Sequence, residues 1–188
     1  MVALEDAVFM FHSRSKDAPP GAGVGELSRL PAGAFAALAA SPDWRQKLSN
    51  FAPAPFELDG LRWPSVEHCF QGSKFSAVDP AYYRSFALDS GSELSRGDGA
   101  AAKSAGGRRG RPMTPTQIAS WEARKAGVMR RALEAKYRQN AEHRAVLLAT
   151  WPAQLTHRPL RSKHTQIEHG LMEVRQLLRD EAERGGAP

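Results

Sequence analysis

The sequence is short of cysteine and of long apolar runs. A single thiol, Cys69, among 188 residues excludes a disulfide framework and a cysteine-based zinc site. It also suits a reducing compartment. No apolar run approaches the roughly 18 residues a membrane helix needs. The N-terminus carries Glu5 and Asp6 and only a short apolar patch at 8–11, which is unlike a signal peptide. There is no internal repeat and no long low-complexity segment. The motifs of several chemistries are absent too: no His-Glu-x-x-His, no Gly-x-Ser-x-Gly elbow, no phosphate loop ending in Gly-Lys-Ser/Thr, and no DNA-reading motif. These absences lead us to expect a soluble, cytoplasmic chain with no membrane partner, no metal and no cofactor.

Positive charge is what the chain has in excess. Lys and Arg number 26 against 20 Asp and Glu, a net charge of +6, which draws anionic partners such as phosphates or nucleic acid. Residues 96–111 hold Arg96, Lys103, Arg108, Arg109 and Arg111 against Asp98 alone, and so carry +4 of that +6. The segment reads either as a solvated basic loop or as a nucleic-acid contact.

Punctuation by proline, glycine and capping residues divides the chain. The first 30 residues read as irregular and contain Pro19-Pro20-Gly21-Ala22-Gly23-Val24-Gly25-Glu26. Short helices are expected at 32–40 and after Ser41-Pro42-Asp43, with Ser41 as cap. Asp59-Gly60 between two short apolar runs predicts a hairpin. Ser65 caps a helix over 66–75, and Asp79-Pro80 opens another over 81–86. Ser92 opens one running to Lys103, stopped by Gly106-Gly107. Thr114-Pro115 begins the longest periodic segment, Asn140 caps a short helix, and 155–157 is a brief strand. Thr165 to Glu168 reads as a capping box, with Ile167, Leu171, Val174 and Leu178 as one stripe. The expected fold class is α+β: a helix-rich single domain over 1–182 with a small β-sheet and hairpin, and a frayed tail at 183–188.

The helix after Trp63 concentrates the chemistry. Val66, Cys69, Phe70 and Ser73 share one face, while Glu67, Gln71 and Lys74 form a second stripe at i, i+4 and i+7. Seven residues rise about 10.5 Å, too far for a direct ion pair between the ends. On spacing alone the stripe is a polar face turned to water. Flanked by Trp63, Phe70 and Phe75, it also fits a pocket with aromatic walls and a few polar groups. The glycines at 21–25 offer amides for an anion nest or make a flexible loop.

A longer set of residues resembles a known family. Leu48-Ser49-Asn50-Phe51, Pro55-Phe56, Asp59-Gly60, Trp63-Pro64-Ser65-Val66-Glu67-His68 and Phe70-Gln71-Gly72-Ser73-Lys74-Phe75 are similar to the signature of the YbiA-like, or NADAR, superfamily. Asp89 to Leu94, Ala105-Gly106-Gly107, Leu147 to Thr150 and Leu171 to Arg175 agree, and the likeness is greatest to a branch with a Pro-Pro-Gly insertion. The segment 155–164 departs from the family, whose members often place an Asp, a Trp-Gly element and a Gly-Lys-Asn turn there.

The resemblance implies hydrolysis of an N-glycosidic bond at C1 of a ribose. Its substrate class is ADP-ribosylated guanine or a ribosylamino-pyrimidine 5-phosphate, and the alternative is a non-catalytic module binding ADP-ribose or nucleic acid. It implies Glu67 as the catalytic carboxylate. Lys74 would donate to the leaving group or phosphate, or attack C1. Asn50 and Gln71 would orient ribose hydroxyls, with Trp63 walling the base. Glu26 would be a second acid. Arg45, Arg158 and the amides of Gly21 and Gly23 would hold phosphates, with His157 and Arg158 filling the altered segment.

Overall fold

The structure, a computed structural model, describes residues 6–31, 33–108, 110–158 and 164–185. Its helices and strands gather into two compact units, one of residues up to Ser49 and from Ala141 on, the other Asn50–Asn140.

The first unit is built on a four-stranded sheet of order β2-β1-β5-β6. The apolar patch near the N-terminus is not irregular but its inner strand, β1 (Ala7–Phe11), with Ala7, Phe9 and Phe11 buried in alternation. β2 (Leu27–Ser28) pairs antiparallel with β1. β5 (Gln154–His157) pairs parallel with it, Phe9 opposite Leu155, and β6 (Gln166–Ile167) closes the other edge. The Phe9 ring packs edge-on against Phe35 and Trp44, 4.7 Å and 5.4 Å away. Helix α1 (Ala36–Ala39) is a single turn, and α2 (Trp44–Leu48) starts later than expected. Its cap position is Asp43, in the left-handed region, while Ser41 bonds back to the Ala37 carbonyl.

Residues 165–168 correct a second expectation. They do not form a capping box: 166 and 167 extend the sheet, Ile167 is exposed, and the Glu168 amide donates to the Leu155 carbonyl. The helix proper begins at His169 and runs through Gly185, burying Leu171, Val174 and Leu178, so the described part of the expected frayed tail is helical.

The second unit opens with the expected hairpin, strands Phe56–Leu58 (β3) and Leu61–Trp63 (β4). Asp59 and Gly60 both take positive φ, 55° and 73°, as a two-residue turn of this kind requires. Helix α3 (Val66–Ser73) follows, its first turn closed by Ser65 accepting the His68 amide. Helix α4 (Pro80–Ser85) has Asp79 at its cap. The single helix expected from Ser92 is two, α5 (Glu93–Arg96) and α6 (Gly99–Ala105), because Asp98 supplies a second cap. Helix α7 (Pro115–Gln139) carries a full Thr114–Gln117 capping box, and α3 packs against both α6 and α7. Asn140 ends α7, its side chain bonding the Pro55 and Lys136 carbonyls; α8 (Ala141–Ala149) follows in the first unit, and α9 is the helix from His169.

Candidate functional site

The polar stripe of α3 does not face water. Glu67 and Gln71 are each only 6% exposed, and Lys74 is half-buried. Gln71 joins the two charged ends: its Nε2 donates to Glu67 Oε1 at 2.8 Å, and its Oε1 accepts from Lys74 Nζ at 2.5 Å. Lys74 donates a second bond, 2.9 Å, to the carbonyl of Gly106 just after α6. An amide thus bridges the span that spacing alone left open. The helix supports the carboxylate, which stands in its first turn.

Burial works against both charges. It pushes the Glu67 carboxyl above its ordinary range, while the Gln71 hydrogen bond, Lys103 and Lys74 pull it down. It pushes the Lys74 ammonium below its ordinary range, opposed by Glu67 and Glu122 and reinforced by Lys103. Burial thus moves the carboxyl and the amine toward each other in proton affinity, and one amide joins them. Lys103 entered the sequence reading only as one charge in a basic run. It lies over the Phe51 ring at 5.7 Å and acts on both site charges; no local pattern in the sequence singled it out.

The remaining sequence candidates fall in different surroundings. The main-chain carbonyl of Asn50 accepts the Glu67 amide at 2.9 Å, and its Nδ2 lies 3.6 Å from Met129 Sδ. Trp63 is fully buried, with Nε1 bonded to the Leu58 carbonyl and its ring against Tyr83. It is a core residue beneath α3, not a wall for a base. Gln71 spends both ends of its amide on Glu67 and Lys74, which ties it to them before any ribose hydroxyl.

In the first unit, Glu26 and Arg45 form a closed cluster. Arg45 Nε and Nη2 bond the Glu26 carboxylate at 2.8 Å and 2.6 Å, and the amides of Met10, Gly21 and Gly23 donate to the same two oxygens. The guanidinium also bonds the carbonyls of Ala18 and Pro19. The glycine amides therefore cradle an internal carboxylate instead of a phosphate, Glu26 is not a second acid, and Arg45 is fully engaged as its counter-ion. Gly23 serves this contact: a methyl group there would lie 2.7 Å from the Glu26 carboxyl carbon.

His157 ends β5, with Nδ1 3.7 Å from Glu168 Oε1 and its ring against Phe11. Glu168, read in the sequence only as part of a cap, is raised above its ordinary range by burial. Arg158 is exposed and lowers the His12 imidazole, an effect second to burial; the rest of the altered segment, 159–163, lies outside the described residues, as does Arg109. The basic segment 96–111 is not one loop, since its first half is helical and Arg111 pairs with Asp79 while stacking on Tyr82 at 4.6 Å. Among the described residues no group of three or more His, Cys, Asp or Glu is arranged to hold a metal ion, and no helix is long and apolar enough to cross a membrane.

Comparison with known proteins places these observations. The N-glycosidase YbiA of Escherichia coli (strain K12) is 41% identical over 107 residues, 57% of this chain and 59% of that protein. Its counterpart in Shigella flexneri is 40% identical over the same length. The matched stretch thus spans less than two thirds of these curated relatives. The NMR structure of the E. coli protein YbiA superposes with a TM-score of 0.58 at 35% identity, covering 76% of this chain and 83% of that one. The family model of the NADAR domain matches residues 39–161, well over half of the sequence and all of the second unit. The chain belongs to the NADAR domain family.

Proposed function

We propose that the chain is an N-glycosidase that hydrolyses the bond between C1 of a ribose and a base nitrogen. Its substrate would be an ADP-ribosylated guanine base or a ribosylamino-pyrimidine 5-phosphate. The observation that carries this reading is the Glu67–Gln71–Lys74 relay: a buried carboxylate and a half-buried ammonium joined through one amide, in a chain 41% identical over 107 residues to a protein named N-glycosidase.

The chemistry follows from the charges that develop. As the C1–N bond breaks, its electron pair leaves with the base and C1 becomes oxocarbenium-like, as in glycoside hydrolysis. The Glu67 carboxylate stabilises that positive charge and takes a proton from the attacking water, whose oxygen becomes the C1 hydroxyl. Lys74 donates a proton to the departing nitrogen. No metal or cofactor takes part. In the second arrangement open to Lys74, its neutral amine bonds to C1 as the C1–base bond breaks, and the proton it sheds passes to the departing nitrogen. Water then displaces Lys74 Nζ from C1, giving its oxygen to the sugar and one proton back to the amine. The excess of positive charge favours a phosphorylated ligand, and the exposed Arg108 offers a contact to nucleic acid beside the base.

Product analysis by mass spectrometry tests the reading. The full chain is incubated in H2-18O with an ADP-ribosyl-guanine oligonucleotide and, separately, with the ribosylamino-pyrimidine phosphate. The expected result is free base from one of them, with one 18O in the sugar product. Binding of ADP-ribose without release from either substrate would replace the enzyme reading with that of a binding module.

A further inference from the structure

Gly106 stands one residue past α6 with φ −80° and ψ 0°, an ordinary right-handed conformation open to any residue. Its backbone does not explain a glycine there. Its neighbours do. A methyl group on Gly106 would lie 2.3 Å from Gln71 Oε1, 3.0 Å from Cδ and 2.7 Å from Cβ. The amide oxygen is the far end of a flexible side chain, but Cβ is fixed to α3 and does not yield. The carbonyl of the same residue accepts the 2.9 Å bond from Lys74 Nζ.

We propose that Gly106 is a positioning residue for the Glu67–Gln71–Lys74 relay: its bare Cα seats the Gln71 amide, and its carbonyl aims Lys74. Two of the three protons on the Lys74 ammonium then point at Gln71 Oε1 and Gly106 O. The one remaining valence, a proton in the ammonium or the lone pair in the amine, is held in a single direction. The same seat turns Gln71 Nε2 onto Glu67. Glu67 on α3, Lys103 on α6 and Glu122 on α7 act on the Lys74 charge, and Arg124 of α7 bonds the Lys74 carbonyl at 3.3 Å. None of these contacts is removed by a methyl group at 106.

The consequence for catalysis rests on the assignment of Glu67 and Lys74 as the working pair, but the test does not need turnover. The 13C and 15N side-chain signals of Lys74 and Glu67 are titrated by NMR in the full chain and in Gly106→Ala. A displaced Gln71 takes an acceptor from Lys74 and a donor from Glu67. The Lys74 midpoint is expected to fall and the Glu67 midpoint to rise, with Lys103 and the remaining lysines unmoved. In an active enzyme both limbs of the pH–rate profile then close inward. A folded Gly106→Ala protein in which both midpoints stay at their wild-type values overturns the proposal. If Gly106→Ala alone does not fold, it is placed on Gln71→Gly, which removes all three crowded atoms. Recovery of folding in the double variant supports the contact, and equal loss in both backgrounds overturns it.

Discussion

At the scale of single residues, burial and hydrogen bonding show which motif side chains hold the fold. Trp63 was legible as important from its place in the motif, but its role was not, because a sequence does not say which face of a ring is covered. Its indole is buried and bonded within the hairpin, so Trp63→Phe is expected to lower stability by about 2–3 kcal/mol through the lost hydrogen bond and the cavity left behind, while leaving KM near the wild-type value. Chemical denaturation together with substrate titration checks this, and a large rise in KM at unchanged stability would restore contact with the base.

Lys136 was not legible at all. It occupies a polar position near the end of α7, yet it is wholly buried against the Tyr137 ring, and burial brings its ammonium down to about 7. The unfolded chain therefore binds more protons than the folded one between that value and the usual lysine range. Stability supplied through this group rises with pH across the window and is lowest below it. The stability of Lys136→Met relative to wild type is expected to be highest near pH 7 and to fall as pH rises toward 10. Thermal unfolding across the range checks it, and a pH-independent difference would show that the ammonium is not desolvated.

At the scale of elements, legibility followed local chemistry. The β3–β4 hairpin was readable because Asp59-Gly60 specifies one turn, and α3 because Ser65 specifies one cap. Two of the misplaced boundaries arose where two signals competed. Asp98 interrupts the helix that Ser92 begins, and residues 166–167 pair with β5 although Thr165 and Glu168 have cap spacing. A long-range strand partner decides that second case, and no local pattern announces it. Strand β1 was missed for the same reason, since its parallel neighbour β5 lies more than a hundred residues away. The cap of α3 bears on the proposed function because that helix and its C-cap carry Glu67, Gln71 and Lys74. Ser65→Ala is expected to cost about 1 kcal/mol of stability, with kcat per folded molecule largely kept. Unchanged stability in a denaturant titration would mean that the Ser65 bond to the His68 amide contributes nothing.

At the scale of the whole molecule, the α+β class and the family were legible from ordered motif residues, and the chemistry only from their three-dimensional surroundings. Spacing set Glu67, Gln71 and Lys74 on one stripe, but it left open whether that stripe faced water. Packing of α6 and α7 on α3 decides it. Conversely, the Glu26 cluster had the residue types of a phosphate site, and the fold uses them internally. A buried pair of that kind secures structure, because losing one partner strands the other's charge. The charge surplus is spread over helices and an ion pair and does not form one basic arm.

Glu67→Gln is the variant that bears most directly on the whole reading. It keeps the shape of the relay and removes the carboxylate. Turnover of the cleaved substrate should fall by about 10²–10⁴-fold, the usual contribution of a general acid–base group. ADP-ribose affinity should stay close to wild type, and melting temperature at pH 7 should be equal or higher, since a desolvated charge is gone. A Glu67→Gln protein that cleaves at the wild-type rate would remove this carboxylate, and the mechanism built on it, from the chain's chemistry.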